Sequence, residues 1–295
     1  MHLPTHQPTT TSPHPSTPPA TPLAAIIGAG GLGPPDDPLT AHTGVARKAL
    51  IPLLGRPMVL YVAQALAESA RVAHFIVVGL GPEEGLAFPL PVTYVPDRGT
   101  LLDNLLAGVA VLQRLSPGAE RVLFAAADIP LITGEIVRET VDRSLASGAD
   151  ACYTIVPRPV MERRFPDARR SYVRLREGEF AGGDLHLFNP AILHRRPALL
   201  QALMGARKSA LRQARIIGVG ILIRYLFRRL SLPEGERRAR QVLGGMPVRF
   251  LVSHHAELAM DVDKPHHLEL VRAELARGTL PQLPSTARRL AVGRD

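Results

Sequence analysis

Short apolar runs alternate with longer stretches of helical spacing through the first half of the chain. The runs at 23–27, 74–79, 92–95, 122–127 and 151–156 carry almost no polar positions, the pattern of strands buried on both faces. Between them, residues 58–67, 101–115 and 136–145 space their apolar side chains three and four apart. In the first of these stretches Leu60, Val62, Ala63, Leu66 and Ala67 mark one stripe, as on an amphipathic helix. Strand and helix in alternation predict an α/β fold with a mainly parallel sheet covered on both faces. Ligands in such folds lie beyond the carboxyl ends of the strands, so the loops that follow the strands are where chemistry is expected.

After residue 157 the rhythm changes. Six arginines fall between positions 161 and 176, and a strand-like segment follows at 184–188. Helices are expected at 190–204, 208–229 and 233–243, a strand at 248–253 and a last helix at 265–276. Residues 157–245 read as a cap or insertion on the same domain, which as a whole spans 23–278. Residues 1–22 are rich in Pro, Thr and His and hold no Asp, Glu, Lys or Arg. They cannot bury enough apolar surface to offset their ordering entropy, so a disordered tail is expected. A loose basic tail is expected at 279–295.

Composition narrows the setting. The 295 residues are 46% hydrophobic and 21% charged, enough for a sizeable core. The single cysteine, Cys152, excludes an intrachain disulfide and a thiolate zinc site, which points to the cytoplasm. No apolar run reaches the roughly 18 residues that span a bilayer. The longest, 216–227, is interrupted by Arg224, and no secretory leader pattern opens the chain. The formal charge is +9, and of 35 basic residues only Lys48, Lys208 and Lys264 are lysines. A basic excess predicts an anionic partner. Aromatics are 4% and Trp is absent, so a base-stacking nucleic-acid binder is not expected.

Four segments carry candidate chemistry. The first strand ends in Gly28-Ala29-Gly30-Gly31, where glycines either satisfy a tight turn or let backbone N–H groups approach a phosphate. No Gly-Lys-Ser/Thr follows, and Pro34 and Pro35 block a helix that would complete a dinucleotide fingerprint from Gly28, Gly30 and Gly33. Next come Arg47-Lys48 and then Gly55-Arg56-Pro57-Met58 at a helix start. In so arginine-rich a chain, Lys48 is either a chance survivor or a compact ammonium placed to clamp a polyphosphate. Asp128 directly follows the 122–127 strand and is either a turn residue or a ligand for Mg²⁺, which is held by one or two carboxylates plus substrate phosphates. Asp261 and Asp263 share one face of an extended segment before a helix opened by Pro265. With Asp263 read as the helix cap, Asp261 becomes the second metal ligand beside Asp128. The doublets His254-His255 and His266-His267 lack partners at metal spacing and read as surface residues.

Together these segments resemble the MobA-like NTP transferases over residues 23–276. The resemblance rests on Gly28-Ala29-Gly30-Gly31, on Lys48 to Met58, on Asp128-Ile129-Pro130 and on Asp261-Val262-Asp263-Lys264-Pro265, in that order. It implies a Rossmann-like, GT-A-like nucleotidyltransferase core bearing a helical insertion, and transfer of an NMP from an NTP to an acceptor, expected to be phosphorylated, with release of pyrophosphate. The implied roles are phosphate contacts at Gly28, Ala29, Gly30, Gly31 and Lys48, and Mg²⁺ on Asp128 and Asp261. Lys48 and Asp128 are the catalytic pair. Gly99 and Asn104, in the loop opened by Pro96-Asp97, are implied to lie over the base or ribose. Gly183 and Asp184 either contact the acceptor or form a plain turn. Many members place an arginine soon after the glycines. Here no arginine or lysine precedes Arg47, which either substitutes for it or leaves that contact unmade. The insertion at about 207–244 lies outside the family's minimal core, so the acceptor is not inherited.

Two other readings stand beside this one. A sugar-nucleotide-dependent glycosyltransferase shares such a core, although a diphosphate donor does not need the Lys48 clamp. A non-enzymatic binder of anionic surfaces would use 207–229, where apolar bulk is flanked by Arg212, Arg215, Arg228 and Arg229, as in an interfacial helix. The alternative for that stretch is a buried cap helix.

Overall fold

The computed structural model describes residues 22–31, 37–195, 197–206 and 209–278. The tails expected at 1–22 (all but its last residue) and 279–295 lie outside the described residues, as do Gly33, Pro34, Pro35 and Lys208. All five strands expected in the first half form. They are β1 (Leu23–Gly28), β4 (Val72–Val78), β5 (Val92–Val95), β6 (Val122–Ala126) and β7 (Ala151–Pro157). Between β1 and β4 lie α1 (Pro38–Thr43), the two-residue strands β2 (Pro52–Leu53) and β3 (Arg56–Pro57), and α2 (Met58–Glu68). The other two expected helices are α3 (Leu101–Leu115) and α4 (Gly134–Ala146). Thr100 and Thr133 cap their first turns by accepting from the Asp103 and Ile136 N–H groups.

The sheet has nine strands and is mostly parallel, with β4, β1 and β6 adjacent in it and β10 following β6. Gly28 lies opposite Val78 on one side and Ala126 on the other. The ends of β4, β1 and β6 are therefore level.

Residues 157–245 do more than cover the domain. After α5 (Arg158–Arg164) they return β8 (Val173–Leu175), β9 (Gly178–Gly182) and β10 (Leu185–Phe188) to the sheet. Strand β10 wedges antiparallel between β6 and β7. Because it runs backwards, its amino end arrives at the edge where the parallel strands finish. The helices α6 (Ile192–Arg195), α7 (Pro197–Gly205), α8 (Ala210–Ile217), α9 (Val219–Leu226) and α10 (Leu232–Val242) follow. The single helix expected at 208–229 is broken at Gly218, whose φ of +142° no helix accepts. Strand β11 (Val248–Val252) pairs parallel with β7, and α11 (Pro265–Ala276) closes the described chain.

Alternation along the central strands divides the core between the two faces. Ile27, Phe75, Val77, Leu123 and Ala125 face α2, α4 and α11. Ile26, Ile76, Val78 and Val122 face α3 and α6. Phe75 is wholly buried, which contributes about 1.5–3 kcal/mol of transfer free energy. Among the described residues no helix is long and apolar enough to cross a membrane.

One contact fixes the loops at the carboxyl edge. Gly79, just past β4, has φ +101°, and a Cβ there would sit 2.1 Å from the Gly30 Cα. Its N–H donates to the Val95 carbonyl (2.8 Å) while the Ala29 N–H donates to the Val78 carbonyl (2.9 Å). Substitution Gly79→Ala adds left-handed strain to a clash with backbone. We expect a loss of about 2–4 kcal/mol in urea unfolding, and a loss below 1 kcal/mol would show that the two loops do not pass in contact.

Candidate functional site

The loops after β1, β4, β5 and β6 and the turn before β10 meet at this edge. The glycine turn has a structural task as well as an open backbone. Gly31 has φ +92°, and a Cβ on Gly30 would come within 2.8 Å of the Asn104 Nδ2 and 3.0 Å of the Asp97 carboxyl. Asp97 organises this side. It accepts from the N–H groups of Gly31 (2.6 Å) and Gly99 (2.9 Å) and from the Asn104 Nδ2 (2.9 Å). The two backbone N–H groups, then Asn104 and nearby Arg47, hold its carboxyl below the usual range. Asn104 in turn accepts from the Arg98 N–H at 2.6 Å. Arg47 donates to the Gly79 carbonyl and lies 3.7 Å from Glu84, so it braces the neighbouring loop.

On the other side stands Lys48, in the 3₁₀ turn Lys48–Leu50 anchored by the buried Ala49 and Ile51. Its Nζ lies 2.5 Å from the Asp128 Oδ2 and 2.5 Å from the Asp263 Oδ1. Burial alone would drive this ammonium towards neutrality. The two carboxylates overcome that cost and hold its pKa above the ordinary value. Asp128 follows β6 as expected, and its carbonyl accepts from the Val262 N–H at 3.0 Å. That bond seats the Asp261–Asp263 segment beside Asp128. Oxygens of Asp128, Asp261 and Asp263 all lie within 4.8 Å of one another.

The cap expectation for Asp263 is overturned. Lys264 occupies the N-cap of α11, and the Asp263 carboxylate turns to Lys48 instead. Asp261 is buried and paired with Arg170, which donates to both its carboxylate and its carbonyl. The expectation of surface histidines also fails at position 267. His267 is 2% exposed. Its Nδ1 accepts from the Asp263 N–H (3.3 Å) and its Nε2–H donates to the Ala168 carbonyl (2.8 Å). That arrangement requires a neutral ring, and burial lowers its pKa to about 4. His255, half-buried, pairs instead with Glu139 of α4 at 2.8 Å.

Asp184 completes the set at the amino end of β10, held by its N–H to the Leu258 carbonyl (2.9 Å) and its carbonyl to the Ala126 N–H (3.0 Å). Desolvation, followed by repulsion from Asp128, pushes its pKa up to about 7. Four carboxylates (Asp128, Asp184, Asp261 and Asp263) thus share the cations Lys48 and Arg170. The Asp128 Oδ1 is buried with no hydrogen-bond partner among the described residues. An unpartnered carboxylate oxygen within an excess of hard oxygen donors fits a divalent cation such as Mg²⁺.

Sequence reasoning singled out the glycines, Lys48, Asp128 and the Asp261/Asp263 pair, and the structure brings the last four together. Gly99 and Asn104 meet through Asp97, which was noticed only as part of its loop. Arg170 and His267 were missed as individuals. Of the six arginines at 161–176, Arg164 pairs with Glu257 and Glu274, and Arg174 with Glu179. Arg170 alone among them has a described contact with the acidic cluster. Gly183 packs closely, 3.2 Å from the Leu258 carbonyl for an added Cβ, so its small size has a local reason.

Comparison with known proteins agrees with this architecture. The model of the MobA-like NTP transferase domain matches residues 25–220, so the chain belongs to that family of nucleotidyltransferases. A hypothetical transferase from Thermus thermophilus is 39% identical, with a TM-score of 0.70 over 84% of this chain and 100% of that one. The fold is shared at 14% identity and TM-score 0.52 with 4-diphosphocytidyl-2C-methyl-D-erythritol synthase from Anaerococcus prevotii, over 87% of this chain and 99% of that one. It is shared at 15% identity and TM-score 0.52 with a CMP:2-keto-3-deoxy-manno-octonic acid synthetase solved with CTP, over 88% and 100%. Among curated proteins none matches this chain.

The Asp184 shift has a definite sign. A carboxyl with a folded pKa of about 7 and an unfolded value of about 3.9 keeps its proton in the native state across that interval. Its contribution to stability therefore falls as pH rises from about 4 to about 7 and changes no further above that. Asp184→Asn should gain on the wild type progressively through this window in urea unfolding. A difference that stays flat from pH 4 to 7 would remove the assignment.

Proposed function

We propose that this protein transfers a nucleotidyl group from an NTP to a phosphorylated acceptor and releases pyrophosphate. The observation that carries the reading is the meeting of Lys48 with Asp128 and Asp263, around an unpartnered Asp128 oxygen, at the strand edge that also bears the glycine turn. Family membership supports the reaction class.

In this reading the triphosphate lies between the glycine turn and Lys48. The N–H groups of Gly30 and Gly31 turn to phosphate oxygens, and Asp97 gives up its bond to Gly31 when they do. Lys48 moves from its carboxylates to the β- and γ-phosphates, where its charge opposes the negative charge that builds on the leaving pyrophosphate. Arg47 keeps the Gly79 loop against the turn. Asp97, Gly99 and Asn104 form the wall against which base and ribose lie. Asp128 and Asp261 would hold Mg²⁺, with Asp263 within reach, and the bound ion would supply neutralisation of phosphate charge. Arg170 holds Asp261 in place meanwhile. The acceptor enters from the Gly183–Asp184 side. An oxygen of its phosphate monoester, already anionic at neutral pH, attacks the α-phosphorus in line. The bond from that phosphorus to the β-bridging oxygen breaks, and its electron pair leaves with pyrophosphate. No general base is required, which accords with a cluster whose one histidine, His267, is buried and bound to backbone.

Thermal unfolding with each of the four common NTPs and Mg²⁺ is the direct test. A bound NTP at about 100 times its Kd adds roughly 2.7 kcal/mol of stability, and Asp128→Ala should remove the Mg²⁺-dependent part. With the stabilising NTP and a panel of phosphate monoesters, Lys48→Ala should cut pyrophosphate release by roughly 10²–10³-fold, unrestored by Lys48→Arg. Failure of every NTP to stabilise the protein, or release of nucleoside diphosphate from a sugar nucleotide instead, would overturn the proposal.

A further inference from the structure

The α8–α9 hairpin stands outside the chemistry described above, and its surface is unlike the rest of the molecule. Helix α8 rests on α7 and α10, whereas α9 packs chiefly on α8. Among the described residues eight large hydrophobics are exposed, and four of them, Leu211, Ile223, Leu226 and Phe227, belong to this hairpin. Phe227 is 72% and Leu226 58% exposed. Leu226 and Phe227 lie three and four residues after Ile223 and so share its face of α9 and its last turn. No described side chain between 211 and 229 is buried, and Ile216, Ile221, Leu222 and Tyr225 are half-buried.

Along the sequence that carries these residues the charge is of one sign. Nine basic residues and no acidic one fall between Asp184 and Glu234. Arg212, Arg215, Arg228 and Arg229 are exposed, and none has a carboxylate partner among the described residues. Arg224 is engaged by Glu234.

From this juxtaposition of exposed aliphatic and aromatic side chains with uncompensated arginines, we infer that the α8–α9 hairpin is an interfacial anchor that docks the protein on an anionic lipid bilayer. The apolar side chains enter the boundary of headgroups and acyl chains, and the arginines reach the lipid phosphates on extended stems. Two eight-residue helices are too short to span a bilayer, so the hairpin lies in its surface. An RNA partner would use the arginines but would leave Leu211, Ile223 and Leu226 in water. The anchor does not depend on the reaction proposed above.

The absence of tryptophan from the sequence makes Phe227→Trp a single-site reporter. With vesicles of phosphatidylcholine and phosphatidylglycerol, its emission should shift to the blue. The wild type should co-sediment with them, less so as salt rises, and not with phosphatidylcholine alone. Arg228→Ala/Arg229→Ala should weaken binding roughly 25-fold, about fivefold for each charge removed. Leu226→Ser/Phe227→Ser should abolish sedimentation while leaving the melting temperature unchanged, since both side chains are already in water. The inference is overturned if the wild type does not sediment with the anionic vesicles, if binding occurs without a blue shift, if the double serine variant binds as the wild type does, or if a single-stranded RNA evokes the same blue shift.

Discussion

The ammonium of Lys48 touches Asp128 and Asp263, which are far apart in sequence, and the arrangement of the strand edge follows from that contact. Two carboxylates held near each other repel, and the surrounding core deprives them of water that would screen the repulsion. Lys48 and Arg170 answer part of the charge. What they leave unanswered surfaces in two places: the Asp128 oxygen without a partner and the raised pKa of Asp184. A core enzyme scaffold rarely keeps such an imbalance unless a ligand offsets it. The same feature that makes the cluster costly to fold is the imbalance that the proposed cation and polyphosphate would offset.

Topology explains how so many acids reach one edge. Parallel strands deliver Gly28, Gly79 and Asp128 to it, each from the end of its strand. The reversed strand β10 adds Asp184 from its beginning, and a single backbone bond between Asp128 and Val262 seats the Asp261–Asp263 segment alongside. His267 and Arg170 then stiffen this segment from behind, one through the Ala168 carbonyl and the other through Asp261 itself.

The remainder of the insertion serves the outside of the molecule. Its strands join the sheet, but past α7 the chain turns apolar side chains and arginines to solvent together. A water-facing helix normally separates these two kinds of residue from the core outward, with the apolar ones inside. In α9 the order is partly reversed, and that reversal is what the inferred lipid interface rests on.

By itself the sequence determined the α/β alternation, the central strands, the first three long helices and the residues that open each loop at the carboxyl edge. These features depend on local periodicity and on glycine, proline and aspartate at fixed offsets from a strand, which a linear reading records directly. Tertiary structure alone decided which of Asp261 and Asp263 faces Lys48, because an extended segment allows either until α11 takes Lys264 as its cap. It likewise picked Arg170 out of six similar arginines, buried His267, and turned α9 outward. Each of those outcomes depends on what another segment places opposite the residue, and neither spacing nor composition carries that information along the chain.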